Sequence, residues 1–356
     1  MSDDYSPLFL TIDIEITNRC NATCHFCPRD ATPHQGIMDV ETFDKALQRA
    51  VEYRKVVKDV SGLEVTVSLC GLGEPLINRN AISFIKKVKA EGFKCSMSSN
   101  GNLLTEDKTR EILDAGLDEI YINISDIDEE YEKVYNLPFE RSRDNIAKFA
   151  ELSQGKCKPV IILVDHHDNK EHVKAMETYW RGYGLKDFHS YSVINRGGAL
   201  FVEHMQFEQY TEMARARQEL TEGGLKPLCG APWGFLFIGY DGNYYLCCSD
   251  WRKQASLGSV FDYSFLQVSR QKLAMVMSRE PVCKTCNHDP INMLTDELRA
   301  LERGEVTEAE VDKLRQSLRD GSVEIDIALG RLLDYGDAHP EGMLPAPDII
   351  PVVATN

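Results

Sequence analysis

The sequence contains no uninterrupted apolar run near the length of about 20 residues that a membrane-spanning helix needs. Its first residues, MSDDYSPLFL, also lack the basic and apolar segments of a secretory signal. We therefore expect a cytoplasmic protein without a membrane partner.

An excess of basic residues is likewise absent. The chain has 40 Lys and Arg against 56 Asp and Glu, which gives a net charge of −16. Tight sequence-independent binding to nucleic acid depends on clustered cations that neutralise phosphates. The charge balance therefore argues against a nucleic-acid partner and favours small molecules or another protein, and nothing in the sequence indicates an oligomeric state.

No disulfide framework is expected for the eleven cysteines, because cytosolic thiols are kept reduced. Clustered cysteines in such a protein more often hold metal. The isolated residues Cys70, Cys95 and Cys157 are more typical of small, buried apolar side chains.

Short β-branched or apolar runs alternate with segments of helical period from about residue 8 to residue 205. This alternation indicates a parallel sheet, either open and doubly wound or a partial barrel. The stretches GLGEP, SSNG, SDID and NRGG each follow a predicted strand, as do three cysteines. Because chemistry gathers at the carboxyl ends of such strands, we expect these groups to face the same end. The six strand candidates begin near Phe9, Glu64, Lys94, Glu119, Pro159 and Asp187.

Two further zones follow the alternating region. A hairpin is predicted around Asp241-Gly242, which is flanked by aromatic and β-branched residues. From about residue 291 the chain is acidic, with fourteen Asp and Glu against six Lys and Arg, and is expected to be mainly helical. Thr307 to Glu310 fits a capping box, and an extended segment is expected from Pro340 to Pro351. A lid, a dimer contact and a solvated extension are all open roles for this tail.

The stretch CNATCHFC places Cys20, Cys24 and Cys27 in a loop after the first predicted strand. Three thiols at intervals of four and three residues can converge on one site with a fourth position open. A structural zinc site would close its tetrahedron with a fourth protein ligand, for which His25 and His34 are available. An iron–sulfur cluster with one iron free of protein ligands would instead leave a place for a substrate or cofactor.

This stretch resembles the CxxxCxΦC signature of the radical SAM superfamily, with Phe26 as the aromatic residue before the last cysteine. The resemblance extends over roughly the first 205 residues and implies an α/β fold, a partial (β/α)6 TIM-like barrel. It also implies that Cys20, Cys24 and Cys27 bind a [4Fe–4S] cluster whose fourth iron is chelated by S-adenosylmethionine (SAM). In that family an electron, supplied by a reducing partner such as flavodoxin or ferredoxin, cleaves SAM to methionine and a 5′-deoxyadenosyl radical.

Further stretches resemble the SAM-binding parts of the same family. GLGEP is similar to its GGEP stretch, with Leu72 in place of a small residue, and SSNG is similar to its TNG. NISDID resembles the SxDG region, but Asn136-Leu137 replaces the usual Arg-Gly pair, so that Arg141 and Arg143 become candidates for the SAM carboxylate. The cofactor-binding residues that the resemblance implies are Phe26, Gly71, Gly73, Glu74, Pro75, Ser98, Asn100, Asn123, Ser125 and Arg143.

A second group of cysteines resembles the opening of SPASM and twitch modules, with Gly242 at the expected place in the CX9–15GX4C pattern. No cysteine follows the CKTC pair, so the module resembles the shorter twitch type with one auxiliary [4Fe–4S] cluster; a zinc ribbon is the alternative. Cys248 is left over, either as a side chain on the opposite face of the hairpin or as a hydrogen-atom donor. The four implied cluster ligands are Cys229, Cys247, Cys283 and Cys286.

Two reactions follow from this resemblance. An auxiliary cluster that accepts an electron favours oxidation of an alcohol to a ketone, as in the twitch dehydrogenases of aminocyclitol antibiotic pathways. A thiol such as Cys248 that returns a hydrogen atom would instead give epimerisation or another isomerisation. The candidates that would order the substrate are Arg196 and, at the end of the fifth strand, Asp165, His166 and His167.

The predicted first strand near residue 9 leaves no room for the N-terminal recognition domain of many peptide-modifying relatives. We therefore expect a small polar substrate, namely a sugar, cyclitol or nucleoside, with peptide maturation and a non-catalytic electron-transfer role as alternatives. The expected domains are a barrel over residues 1–205, a twitch module over 206–290 and an acidic helical extension over 291–356.

Overall fold

The computed structural model describes residues 11–200, 205–279 and 281–340. The start of the predicted first strand and most of the predicted extended segment up to Pro351 lie outside these ranges. Within them the chain forms a mixed α/β structure around one sheet.

Nine strands of the described residues build this sheet: β1 (Thr11–Ile14), β2 (Thr66–Leu69), β3 (Lys94–Ser99), β4 (Glu119–Asn123), β5 (Lys158–Asp165), β6 (Asp187–Ser192), β7 (Phe235–Ile238), β8 (Asn243–Tyr245) and β9 (Ser256–Ser259). Their order is β6-β5-β4-β3-β2-β1-β7-β8-β9. The six predicted strands correspond to β1 to β6 and are all parallel to their neighbours. The predicted parallel α/β architecture is therefore confirmed.

The predicted hairpin forms β7 and β8, yet it does not build a sheet of its own. Strand β7 pairs in parallel with β1, so that Thr11 lies opposite Phe235 and Ile14 lies opposite Ile238. Gly242 closes the turn with a φ of +76°, which favours glycine. Backbone hydrogen bonds therefore join the second cysteine region directly to the barrel.

Helices connect and cover the strands: α1 (Val40–Ser61), α2 (Ala81–Ala90), α3 (Glu106–Asp114), α4 (Asp128–Tyr135), α5 (Phe139–Leu152), α6 (Lys170–Arg181), α7 (Glu212–Thr221), α8 (Ala231–Gly234), α9 (Phe265–Ser278), α10 (Pro290–Glu302) and α11 (Glu308–Ala338). Their starts follow the polar residues of the sequence, since Asp39, Thr105 and Asn169 each accept a backbone N–H bond in the first turn. No helix among the described residues combines the length and the apolarity needed to cross a bilayer.

Alternate side chains of the parallel strands face opposite sides, as the two-residue period of a strand requires. The outward side chains, such as Ile12, Val67 and Ile120, are fully buried under the helices. Phe43 of α1 and Phe84 of α2 stack beneath them with ring centroids 3.8 Å apart. The apolar core thus lies between sheet and helices, and the inner face of the sheet is left for polar groups.

The acidic tail packs on the outside of the molecule. Leu294 and Leu298 of α10 bury against Leu220 of α7, while Leu329 and Leu332 of α11 belong to the main core. No described residue of α10 or α11 lines the central cavity. In the described part of the chain, α10 and α11 therefore pack against the outside of the core and do not cover the cavity.

Candidate functional site

A cavity of about 530 Å³ opens at the carboxyl ends of the strands. It brings together most of the site residues predicted from the sequence. The predicted residues that line it are Cys20, Cys24, Phe26, Cys27, Gly71, Gly73, Glu74, Ser98, Asn100, Asn123, Arg196 and Cys248.

The loop after β1 holds the three clustered cysteines on the cavity wall. Arg29 braces this loop, because its Nη1 donates to the carbonyl oxygens of Cys20 at 3.2 Å and Ala22 at 2.7 Å. Asn100 Nδ2 lies 3.8 Å from Cys20 Sγ, and Ala22 N lies 3.4 Å from it. Hydrogen bonds to sulfur of this kind tune iron–sulfur clusters.

The donor set bears on which metal group the three thiols could hold. In the described residues, Asp126, His166 and His167 are the one group of three or more His, Cys, Asp or Glu whose donor atoms all lie within 4.8 Å of one another, and neither His25 nor His34 is grouped with the thiols. Three thiols on the cavity wall fit a cluster that would keep one iron free of protein ligands.

The GLGEP stretch packs tightly against the cysteine loop. A Cβ atom at Gly73 would lie 2.4 Å from the carbonyl oxygen of Arg19, so this close approach needs glycine. Glu74 is buried and accepts bonds from Asn100 N at 2.8 Å and from Ser99 Oγ at 3.1 Å. Burial raises the pKa of Glu74 to about 7. A ligand ammonium beside this carboxyl would favour its ionised form.

Some predicted cofactor residues lie away from the cavity wall. Pro75 begins a short 3-10 helix. The Ser125 hydroxyl accepts from Val164 N at 2.8 Å, which makes it a link between strands. Arg143 Nε donates to Asp144 at 2.9 Å on the surface of α5. The structure therefore does not bring Arg143 to the site.

The inner face of the sheet adds polar groups that the motifs did not reveal. Tyr191 of β6 and Cys70 are among them, and Cys70 is half-buried where a buried side chain was expected. Cys95 and Cys157 are buried as expected, although Cys95 also borders the cavity. The signal that could have found them is the alternation of polar with apolar residues inside each predicted strand. The added residues of β1 to β4 are Thr11, Asp13, Thr66, Ser68, Lys94, Ser96, Glu119 and Tyr121.

Asp13 is the most strongly perturbed of these groups. Burial raises the pKa of Asp13 to about 8, against the opposing charge of Lys272. Burial also lowers the pKa of Lys272 to about 7, and its Nζ donates to the Pro232 carbonyl oxygen at 2.6 Å. Burial therefore favours the protonated form of Asp13, which can donate a hydrogen bond into the cavity.

Arg196 lies where the barrel meets the second cysteine region. Asn195 and Asn287 exchange backbone-to-side-chain bonds of 3.1 and 3.2 Å, and Asn195 Nδ2 donates to Thr285 O at 2.6 Å. The Arg196 backbone has a φ of +52°, and its guanidinium lies 5.7 Å from the centre of the Trp251 ring. The junction thus fixes Arg196 at the cavity wall.

The four remaining cluster cysteines lie outside the cavity. Burial raises the pKa of the Cys229 and Cys247 thiols, and the charges of Cys283 and Cys286 raise it further because these thiols lie close together. At Cys247 the charge of Cys248 adds to this rise. His288 N lies 3.5 Å from Cys286 Sγ. This buried donor set fits a cluster that is fully ligated by protein.

A buried polar network that the sequence did not indicate holds the CKTC loop. Asn292 Nδ2 lies within 3.1 Å of the carbonyl oxygens of Cys283, Lys284 and Cys286. Arg279 in turn donates to Asn292 Oδ1 at 2.7 Å and to Asp289, the N-cap of α10.

The histidines at the end of β5 do not line the cavity. His166 and His167 bond to the carboxylate of Asp126, and Asp165 accepts the backbone N–H of Asn169. The predicted role of these residues in ordering the substrate therefore has no support from their position.

Two family models match the chain. The model of the radical SAM superfamily matches residues 14–179, and that of the iron–sulfur cluster-binding SPASM domain matches residues 229–287. The first matched segment contains the three clustered cysteines of the cavity, and the second contains Cys229, Cys247, Cys283 and Cys286. Together the two domains imply a [4Fe–4S] cluster with SAM and an auxiliary cluster.

Curated relatives share parts of the chain. It is 30% identical over 112 residues to the tungsten-containing aldehyde ferredoxin oxidoreductase cofactor-modifying protein of Pyrococcus furiosus, covering 31% of this chain and 29% of the relative. It is 29% identical over 174 residues to a probable GTP 3′,8-cyclase of Methanothermobacter marburgensis, covering 47% of this chain and 53% of the relative. The chain thus spans about half or less of the length of either relative.

Solved structures share the fold. Streptococcus suis SuiB bound to its precursor peptide SuiA superposes with a TM-score of 0.54 at 12% identity, covering 81% of this chain and 72% of that one. At this identity the likeness describes the architecture alone.

Proposed function

The chain belongs to the radical SAM superfamily and carries a SPASM-type cluster domain, and from this premise we propose that it oxidises an alcohol carbon of a small polar substrate. A sugar, a cyclitol or a nucleoside fits the proposal. Cys229, Cys247, Cys283 and Cys286 would hold the auxiliary cluster, which would supply the acceptor for the second electron, while the hydroxyl proton passes to solvent.

The observation that carries this proposal is the set of polar side chains that β1 to β4 place on the cavity wall, opposite an apolar part formed by residues such as Ile162, Phe235 and Phe237. Asp13, Ser68, Ser96 and Tyr121 present hydroxyl and carboxyl groups to the cavity. Ligand sites of about 300–1,000 Å³ enclose molecules of drug size, and this cavity must hold SAM together with the substrate. The substrate that fits this proposal is a small molecule whose hydroxyl groups match these partners.

The position of the second cysteine region supports an oxidation. Cys248 lines the cavity while its neighbour Cys247 is buried with the auxiliary cysteines. Arg196 bridges the same two regions and orders a substrate oxygen between them. When bound, SAM and the two clusters would supply the initiating 5′-deoxyadenosyl radical and the final electron acceptor.

One observation favours a second candidate, a radical epimerase or isomerase. The Cys248 thiol lies on the cavity wall, where it can return a hydrogen atom to a substrate carbon. Burial raises the pKa of this thiol to about 11, which keeps its hydrogen in place at neutral pH.

The substrates named for the relatives fit the cavity less well. The cyclase relatives are named for GTP, whose triphosphate needs several cations, whereas Lys94 and Arg196 are the cationic side chains among the described residues that line the cavity. SuiB binds a precursor peptide, and peptide maturation stays the alternative to a metabolite substrate. A flavodoxin or ferredoxin of the cytoplasm is the proposed reductant.

The proposal is tested with anaerobically reconstituted protein, excess reductant, SAM and a panel of sugars, aminocyclitols, nucleosides and short peptides in deuterated water. A ketone formed in step with 5′-deoxyadenosine supports the oxidation. Deuterium gained at a substrate carbon, and lost in Cys248→Ala, supports the epimerase. Turnover of a peptide alone would contradict both.

A further inference from the structure

A cluster of imidazoles surrounds one buried carboxylate at the ends of β4 and β5, outside the cavity. We define the His–Asp cluster as Asp126, His166, His167 and His172. Asp126 is fully buried, and each of the three imidazoles directs its Nε2 at the Asp126 carboxylate.

The distances in this cluster are short and similar. His166 Nε2 lies 2.7 Å from Asp126 Oδ2, and His167 Nε2 lies 2.9 Å from Asp126 Oδ1. His172 Nε2 lies 3.1 Å from the same Oδ1 and 3.0 Å from the carbonyl oxygen of Ser125. The donor atoms of Asp126, His166 and His167 all lie within 4.8 Å of one another.

The local backbone makes this convergence possible. Consecutive side chains of an extended strand point in opposite directions, yet His166 and His167 reach the same carboxylate. The chain turns tightly after β5, since His166 N donates to Val164 O at 2.9 Å, and Asp168 follows with a φ of +50°. Asn169 then caps α6, which brings His172 of its first turn to the cluster.

We propose that the His–Asp cluster binds one divalent transition-metal ion through Asp126, His166 and His167. Two imidazoles and a carboxylate are a donor set that suits zinc, iron, cobalt or nickel. His172 acts as a positioning residue, because it bonds both Asp126 and the backbone beside it. Such second partners orient metal ligands.

The cluster is open to an incoming ion on one side. The His166 side chain is 2% exposed, but His167 is 33% exposed and His172 is 25% exposed. The first turn of α4 adds the exposed carboxylates of Asp128, Glu129 and Glu130. Negative charge of this density raises the local concentration of cations.

Metal at this position would stiffen the support of the catalytic loop. The His166 ring stacks on Phe26 with centroids 5.0 Å apart and meets His25 at 4.8 Å. Both aromatic residues belong to the loop of the three cysteines. An ion held by His166 would therefore tie the ends of β4 and β5 to the wall of the cavity.

The test measures zinc in the reconstituted holoenzyme. The protein is treated with a chelator under anaerobic conditions, dialysed against micromolar zinc chloride and desalted, and zinc, iron and sulfide are counted per chain. The variants are Asp126→Asn and His167→Ala, and the matched control is His189→Ala, an exposed histidine of β6. A thermal scan with and without zinc gives a second readout.

We expect about one zinc per chain in the wild-type protein and in His189→Ala, with iron and sulfide unchanged. Zinc should fall at least tenfold in both cluster variants, and the rise of melting temperature on adding zinc should vanish in His167→Ala. Wild-type protein without zinc, zinc retained by His167→Ala, or zinc gained only with loss of iron would overturn the proposal.

Discussion

Cys247 and Cys248 are adjacent in the chain, yet they face different parts of the molecule. Cys247 is buried among the auxiliary cysteines, and Cys248 lies on the cavity wall beside Arg196. The chain leaves β8 and turns here, since Asp250 N donates to Cys247 O at 3.2 Å, so the pair connects the two regions.

We predict different effects on iron content for these two residues. Two [4Fe–4S] clusters correspond to about eight iron atoms per chain. Cys247→Ala should lower this content to about four, because a cluster ligand is lost, whereas Cys248→Ala should leave it unchanged. Iron and sulfide analysis of both variants after anaerobic reconstitution measures this difference. Loss of iron from Cys248→Ala would show that this thiol is a ligand.

Asp13 gives a prediction on pH. Its pKa is about 8 in the folded protein and 3.8 in the unfolded chain, so the unfolded chain loses its proton first. Stability therefore falls as pH rises through this window, by up to about 1.4 kcal/mol per pH unit. Asp13→Asn removes this effect.

As pH rises from 5 to 7, the melting temperature of wild-type holoenzyme should therefore fall relative to that of Asp13→Asn holoenzyme. This range lies below the pH at which Lys272, with a pKa of about 7, adds a slope of opposite sign. Asp107→Asn, at an exposed site, is the control. Midpoints that differ by the same amount at both pH values would rule out a buried, protonated Asp13.

The sequence predicts those site residues that belong to a motif of fixed spacing. It does not predict the residues that only the folded chain brings to the site. CNATCHFC and GLGEP place Cys20 and Glu74 at the cavity because a strand end fixes both stretches. Arg143 was expected near SAM although the departure at Asn136-Leu137 left no motif to guide the choice. Its Nε donates to Asp144 on the surface of α5, and its role stays a prediction. The role of Asn292 depends on three carbonyl oxygens of another segment, which no local pattern reveals.

At the scale of elements, the CKTC loop depends on the start of α10. Asn292 in the first turn of this helix holds three backbone carbonyl groups of the loop. Asp289 caps the same helix and pairs with Arg279. Helix and loop therefore position Cys283 and Cys286 together.

Asn292→Leu should release the auxiliary cluster. The substitution removes one donor from three carbonyl oxygens, at a cost of about 0.5–1.5 kcal/mol for each bond lost. The oxygens of Cys283 and Cys286 keep their backbone donors, Cys286 N and Asp289 N. We expect about four iron atoms per chain to remain, all at the N-terminal cysteines. Thr307→Ala, which removes the N-cap of α11 at a cost of about 1 kcal/mol, serves as a control for general destabilisation. A full iron content in Asn292→Leu would contradict this role.

Elements with a strong local signal are predictable from the sequence, and elements defined by tertiary pairing are not. The capping box of Thr307 and Glu310 is present at the start of α11. Helix α4 carries no comparable signal, because its N-cap residue Ile127 makes no side-chain hydrogen bond to the first turn. The parallel pairing of β7 with β1 joins residues more than 200 positions apart in sequence, beyond any local pattern.

At the scale of the molecule, α11 joins the tail to the barrel. Leu329 is 2% exposed within the main core, whereas Ile327 on the same helix is 45% exposed. Leu329→Ala should cost about 2–5 kcal/mol of stability, since it leaves a cavity in a packed core. Ile327→Ala should cost far less. Equal shifts of the unfolding midpoint for the two variants would contradict the packing of the tail.

The sheet is what brings the two cysteine regions into one molecule. Because β7 continues the barrel sheet beyond β1, the second region is attached by backbone pairing as well as by the junction at Asn195 and Asn287. The boundaries near residues 205 and 290 stay predictions.

The central claim is that Cys20, Cys24 and Cys27 hold a cluster that cleaves SAM. The most direct measurement is 5′-deoxyadenosine formed by anaerobically reconstituted, chemically reduced protein with SAM, for wild type and for Cys24→Ala. We expect the product from wild type and none from the variant, which should keep about four iron atoms at the auxiliary site. Equal product from both proteins, or none from a wild type that carries its full complement of iron, would contradict the claim.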